Sequence, residues 1–282
     1  MKVAAIQMVS ATSLDVNLQS AQALLTEAAQ AGAELAVLPE YFCLMGRKDT
    51  DKLQIQEPFG QGPIQTFLSQ AARQLNLWIV GGTLPIAVDQ TRGDASANEP
   101  IGKRVYNTSL AFSPRGECVA RYDKIHLFKF DNGQEAFDES RVLLRGGQPA
   151  QFEMTDRRGQ PWRIGMSVCY DLRFPELYRH YSKARVDMLL VPSAFTYTTG
   201  EKHWEVLLRA RAIENQAFVV APAQGGLHEN GRRTWGHSLL IDPWGDVLGE
   251  RAVDAGVVCQ DLDFALRGDC HAKLPALSHR IM

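Results

Sequence analysis

The chain has no stretch approaching the ~18 consecutive apolar residues of a membrane-spanning helix, so no helical membrane anchor is expected. It has no charge excess either. Thirty Lys and Arg stand against 32 Asp and Glu, a formal net charge of −2, which removes the electrostatic case for nucleic-acid binding. The basic doublets Arg157-Arg158 and Arg232-Arg233 are only pairs and read as solvated turns. Cysteine is sparse: five residues, at 43, 118, 169, 259 and 270, an odd number without a close pair. A disulfide framework is therefore not expected, and a reducing, cytoplasmic location is (mitochondria, had a transit peptide been removed). Neither C-x-x-C nor H-E-x-x-H occurs, so no sequence-local metal site is indicated. The opening Met-Lys-Val-Ala-Ala-Ile-Gln-Met-Val has too short an apolar run for a signal peptide and reads as a first strand. Internal linkers, low-complexity tracts and short-period repeats are missing as well.

What is present fits a globular enzyme-sized chain. With 282 residues, 45% hydrophobic and 22% charged, a large core is feasible, and one domain over 1–282 is the simplest organisation. Lys2–Val9, Glu34–Leu38, Leu77–Gly82, Trp162–Cys169, Val186–Val191, Ala217–Ala223, Gly236–Ile241 and Gly256–Leu262 read as strands. Leu14–Ala31 and Pro63–Asn76 show helical spacing. Another helix is expected between Cys169 and Val186, and another over Glu201–Gln216, with Thr198-Thr-Gly-Glu201 as its capping box. Val105–Phe112 and Glu117–Tyr122 form a hairpin around Ser113-Pro-Arg-Gly116, and Asp242-Pro-Trp-Gly245 is another turn. Asp89–Pro100 reads as a surface loop. Alternating strands and helices interrupted by hairpins predict an α/β fold with mixed sheets.

The most informative run is Arg163-Ile-Gly-Met-Ser-Val-Cys-Tyr-Asp-Leu-Arg-Phe-Pro-Glu-Leu177. It is an apolar strand ending in a thiol, then a polar turn with Asp171 and Arg173, then Pro175 where a helix can open. A strand tip near a helix N-terminus is the place for a nucleophile, and the helix dipole would favour thiolate. Two further charged residues end predicted strands: Glu40 in Leu35-Ala-Val-Leu-Pro-Glu and Lys124 in Cys118-Val-Ala-Arg-Tyr-Asp-Lys. Ligand crevices of α/β sheets lie outside the carboxyl ends of strands. The three groups suit acyl transfer. Cys169 attacks a carbonyl or nitrile carbon, and Glu40 acts as the base. Lys124 and the Tyr170 N–H stabilise the thiolate and the oxyanion. A carboxylate base working near neutral pH requires burial. A Cys–His pair is the competing scheme, though none of the seven histidines has a spacing that singles it out. Ser167 is discounted as a nucleophile and assigned to the core. Cys43, three residues past Glu40, is read as buried.

These motifs resemble the nitrilase, or carbon–nitrogen hydrolase, superfamily over essentially the whole chain. The resemblance rests on Gly32-Ala-Glu-Leu-Ala-Val-Leu-Pro-Glu40, Tyr122-Asp-Lys-Ile-His-Leu-Phe128 and Gly165-Met-Ser-Val-Cys-Tyr-Asp-Leu-Arg-Phe-Pro-Glu-Leu177. It implies a four-layer α-β-β-α sandwich, a Glu40–Lys124–Cys169 triad, and a second glutamate at Glu139, with Glu135 as the neighbouring alternative. It further implies homo-oligomers and no metal or organic cofactor. The segments 194–216 and 234–238 look like the Nit branch, which contains amidases of deaminated glutathione and of 2-oxoglutaramate. Tyr197 and Ala223-Gln-Gly-Gly-Leu-His228 resemble the former more. No fused Fhit-like or synthetase domain is expected. The implied reaction is hydrolysis of a small-molecule amide, deaminated glutathione, to 2-oxoglutarate and cysteinylglycine. Such a substrate needs a cation near the nucleophile. Arg173 offers a carboxylate clamp, unless it pairs with Glu176 or Asp171. Phe195 and Thr199 offer a wall and a hydrogen bond. An N-carbamoyl compound or a nitrile as substrate, or a catalytically silent scaffold, are the rival readings.

Overall fold

The computed structural model describes residues 1–89 and 103–281. The expected loop at Asp89–Pro100 lies almost wholly outside the described residues. Two mixed sheets form the centre. The first runs in the order Gly256–Asp261, Lys2–Gln7, Leu35–Val37, Trp78–Val80, Val105–Phe112, Leu84–Ala87. Cys118–Asp123 and Leu143–Leu144 also pair with Val105–Phe112. The second runs Ala150–Thr155, Pro161–Met166, Met188–Leu190, Phe218–Ala221, Ser238–Ile241, Val247–Arg251. Each sheet has three parallel strands at its centre, and antiparallel pairing begins on both sides of that centre.

Side-chain alternation sets the layers. In Lys2–Gln7, Val3 and Ala5 join the core shared with the second sheet. Ala4 and Ile6 join a separate core with α1 (Leu14–Gln30) and α2 (Pro63–Leu75), through Ala21, Leu25, Ile64 and Leu68. Across the second sheet lie α3 (Pro175–Lys183) and α4 (Tyr197–Asn215), which bury Tyr178, Tyr181, Trp204 and Leu208. A last helix, α5 (Phe264–Lys273), sets Phe264 edge-on against Trp162. The result is the four-layer α-β-β-α sandwich. Covering both faces explains why the central strands are continuous apolar runs and not alternating ones.

Several elements depart from the sequence reading. Helix α4 starts at Tyr197, not Glu201, and its N-cap is Thr196, which accepts from the Thr199 N–H at 3.4 Å. Thr198-Thr-Gly-Glu201 is therefore the first turn of the helix and not a capping box. The strands Leu84–Ala87, Ala150–Thr155 and Val247–Arg251, and α5, were not anticipated. They are short or mostly peripheral, and their pattern is set by partners distant in sequence.

The loops at the strand ends are packed backbone to backbone. Gly82 has φ +48°, and a Cβ there would sit 2.0 Å from the Pro39 carbonyl oxygen, next to Glu40. Gly82→Ala should therefore destabilise the protein by about 2 kcal/mol or more, read as a fall in Tm of roughly 5 °C or more. An unchanged melting curve would show that this loop can yield.

Candidate active site

Lys124 follows Cys118–Asp123, and its backbone N–H donates to the Asn107 carbonyl at 3.0 Å. That bond turns the side chain inward, where it is 0% exposed. Its Nζ donates to Glu40 Oε1 at 2.9 Å, and to Glu139 Oε2 and Oε1 at 2.8 and 3.0 Å. Glu40, 1% exposed, lies just beyond Leu35–Val37. Its Oε1 also accepts from Asn107 Nδ2 at 2.9 Å, and its Oε2 from the Ala194 N–H at 2.9 Å. Glu139 opens a 3-10 turn and accepts further from the Tyr41 hydroxyl at 2.8 Å and the Phe128 N–H at 2.7 Å. Glu135 is elsewhere, accepting from Thr198 Oγ1 at 3.1 Å on the surface. Of the two glutamates weighed, Glu139 is the one against Lys124.

Cys169 is buried, and its backbone is in the left-handed region at φ +50°, which a non-glycine residue adopts only when its surroundings impose it. The imposing contacts are visible. Its N–H donates to the Pro192 carbonyl at 3.0 Å. Asp171, fully buried, accepts from the Val168 N–H at 2.9 Å, the Tyr122 hydroxyl at 2.7 Å and the His126 N–H at 3.0 Å. Its Oδ1 also lies 2.7 Å from His126 Nδ1. One carboxylate thus ties the turn of Cys169 to the segment on either side of Lys124.

The electrostatics correct one expectation. Cys169 opens a 3-10 turn, Cys169–Arg173, and α3 begins only at Pro175, so the nucleophile is not at the helix N-terminus. Burial, reinforced by the Glu40 and Glu139 carboxylates, pushes the thiol well above its ordinary range and outweighs the pull of Lys124. The resting group is a thiol, not a thiolate. Burial alone would discharge Lys124, but Glu139 and Glu40 more than offset it and hold the ammonium charged. Burial works against an ionised Glu139 too, and Lys124 overcomes it, holding the carboxyl below its usual range. Burial and the neighbouring Glu139 push Tyr41 up, so its hydroxyl stays a donor.

Cys169, Tyr170, Arg173, Phe195, Thr196 and Thr199 line, with Phe128 and Ala194, a narrow cleft. Phe195 is fixed by Trp204, at 4.9 Å between ring centres. Thr199 Oγ1 is 2.8 Å from Thr196 Oγ1, inside the capping turn of α4. Arg173 pairs with neither Glu176 nor Asp171. Its Nη1 is 3.1 Å from His203 Nδ1, and its guanidinium lies 5.7 and 5.4 Å from the Tyr170 and Phe195 ring centres. The charged groups that act most on Cys169 are Glu40, Lys124 and Glu139. Ser167 is buried against Tyr178 and Leu190, and the Cys43 thiol is buried and pushed up to about 12. Arg232 is half-buried over the Phe137 ring and is not a solvated turn residue.

Sequence reasoning missed Asn107, Tyr41, Ala194 and the tying role of Asp171. The available signal was polar residues inside apolar strands, as in Val105-Tyr-Asn-Thr-Ser. Nothing local says that Asn107 faces Glu40, because the contact spans 67 residues.

The carbon–nitrogen hydrolase family profile matches residues 2–272. A deaminated glutathione amidase from Synechocystis sp. is 38% identical over 99% of this chain and 97% of its own length. An omega-amidase from Danio rerio is 33% identical over 94% of this chain and 88% of its own. The crystal structure of the C. elegans NitFhit protein superposes with a TM-score of 0.85 at 32% identity. It covers 99% of this chain, which spans 65% of that longer one. By profile, relatives and fold alike, this chain belongs to the carbon–nitrogen hydrolase family and is an amidase.

Proposed function

We propose that the whole chain acts as one hydrolase unit that cleaves deaminated glutathione to 2-oxoglutarate and cysteinylglycine. The observation that carries the chemistry is the Lys124 ammonium held between Glu40 and Glu139, in the charge field of Cys169 in its cleft. The substrate assignment is supported by the relatives at 38% identity over nearly full length. An omega-amidase specificity for 2-oxoglutaramate is the second reading, supported by the Danio rerio relative.

In this reading Cys169 Sγ attacks the amide carbon while Glu40 takes the thiol proton. Lys124 Nζ and the Tyr170 N–H stabilise the oxyanion. Glu40 passes its proton to the leaving amine, and cysteinylglycine departs from a thioester. Glu40 then takes a proton from water as the water attacks. When the thioester collapses, that proton returns to sulfur and 2-oxoglutarate is released. Lys124 remains an ammonium throughout, held by Glu139. Arg173 clamps the 2-oxo acid carboxylate, with Phe195 and Thr199 along the chain. The five free cysteines support a reducing location such as the cytoplasm, and no described helix is long and apolar enough to cross a membrane. Pairing into homo-oligomers would cover the exposed Val206 and Ile213 of α4.

The first test follows 2-oxoglutarate release from deaminated glutathione and from 2-oxoglutaramate, with wild type beside Cys169→Ala. Preference for the former, lost in the variant, is expected; preference for the latter selects the second reading. Glu139→Gln should lower kcat by ~10²-fold or more, and Glu135→Gln by no more than about two-fold. Equal effects would reject the assignment of Glu139. The raised thiol also fixes a pH dependence. Raising the pH ionises Cys169 only above the ordinary thiol value of 9.0, so its alkylation by iodoacetamide should climb there. A midpoint at or below pH 7 would indicate a resting thiolate and remove Glu40 as the initial base.

A further inference from the structure

Two cations near Glu139 are not used by this chemistry. Lys52 lies in the 3-10 turn Asp49–Leu53, with its ammonium 4.7 Å from the centre of the Tyr41 ring, whose hydroxyl donates to Glu139. Arg232, at the hairpin Gly225–Leu227/Arg233–Trp235, holds its guanidinium 5.0 Å from the centre of the Phe137 ring, two residues before Glu139. Both side chains are half-buried. Among the described residues neither has a carboxylate within 4 Å, and Arg232 Nε is buried with no hydrogen-bond partner.

The neighbouring acids make no direct ion pair with them. Both oxygens of Glu139 already accept two bonds each, and both oxygens of Glu40 are engaged. Lys124, Lys52 and Arg232 thus share the field of Glu139 and Glu40, and Asp49 adds a third carboxylate near Lys52. Some half-buried arginines in this fold are paired, as Arg179 is with Glu214 at 3.4 Å and Arg267 with Asp187 at 2.8 Å. A half-buried guanidinium lacking a partner gains most from an anionic ligand, since water solvates it poorly there.

We propose that Lys52 and Arg232 form a second anion subsite, which takes the terminal carboxylate of the substrate's leaving group. The inference rests on the amidase reading above and gives that site its specificity. Arg173, on the Cys169 turn, serves the acyl end, and the second subsite lies on the Glu139 side of Lys124. A leaving dipeptide reaches at most about 7 Å from the scissile nitrogen. Its glycine carboxylate is the only charge it carries beyond its amine. The leaving group of 2-oxoglutaramate is ammonia, with no carboxylate to offer. The subsite therefore separates two substrates that share one acyl half.

The test compares kcat/KM for three compounds: deaminated glutathione, the same molecule with its terminal carboxylate converted to a carboxamide, and 2-oxoglutaramate. Wild type should favour the acid over its carboxamide by about ten-fold, mostly through KM. Arg232→Gln and Lys52→Gln should each bring that ratio towards one, and Arg232→Lys should retain part of it. Thermal melting confirms that the variants are folded. Equal rates for acid and carboxamide in wild type would overturn the subsite without any variant. Equal proportional losses on all three compounds would overturn it too, since the cations would then act on Glu139 and Lys124 alone. Wild type inactive on deaminated glutathione and 2-oxoglutaramate alike would overturn the amidase specificity itself, and the subsite with it. That result is distinct from an active wild type whose acid-to-carboxamide ratio is one.

Discussion

A buried ammonium between a buried and a half-buried carboxylate is the constraint around which this molecule is arranged. Moving Lys124 out of water costs several kcal/mol, and so does moving each carboxylate. The cluster is tolerable only because every participant is satisfied. Lys124 donates to both glutamates, and Asn107, Ala194, Tyr41 and Phe128 supply the donors that the remaining carboxylate lone pairs require. Such a network is worth little as stabilisation compared with an apolar core, and it leaves a net negative charge beside a thiol. Burial, reinforced by that charge, holds the Cys169 thiol well above its ordinary range, so in the proposed mechanism a base acts as the bond to carbon forms. In the proposed mechanism the same ammonium faces an oxyanion, where burial makes its charge most useful.

Keeping this cluster in register requires rigid supports, and the backbone carries the strain. Cys169 and Tyr41 both have positive φ, at +50° and +57°, and both adjoin or belong to the site. Gly82 allows its loop to touch the Pro39 carbonyl where a side chain would collide. The fold concentrates these costs at the ends of strands whose middles are buried on both faces. The two sheets supply the stability, and their carboxyl-end loops spend part of it on a fixed geometry.

The cations around the site divide into three tasks. Lys124 is locked between carboxylates and does not move. Arg173, bordered by aromatic rings and a histidine, keeps its fork free of any carboxylate. Lys52 and Arg232 lie over Tyr41 and Phe137. An amide with a carboxylate at each end matches that distribution better than a neutral amide does.

The sequence alone determined the class of fold, the central strands, and the placement of Glu40, Lys124 and Cys169 just past strand ends. Each of these is written in a short window: an apolar run of strand length, then an abrupt charged or thiol residue. Family motifs carried the same three residues and Glu139, but could not separate Glu139 from Glu135, four positions away on the same irregular segment. Only the tertiary structure decided that, by bringing 139 to Lys124 while 135 faces Thr198. It alone revealed Asn107, Ala194 and Asp171 as supports, and it showed burial and two carboxylates working against the thiolate. The physical reason is common to all of these. Burial, charge proximity and hydrogen-bond partnership depend on residues 15 to 154 positions apart, and no local pattern of the chain records what such distant segments do to one another's charge.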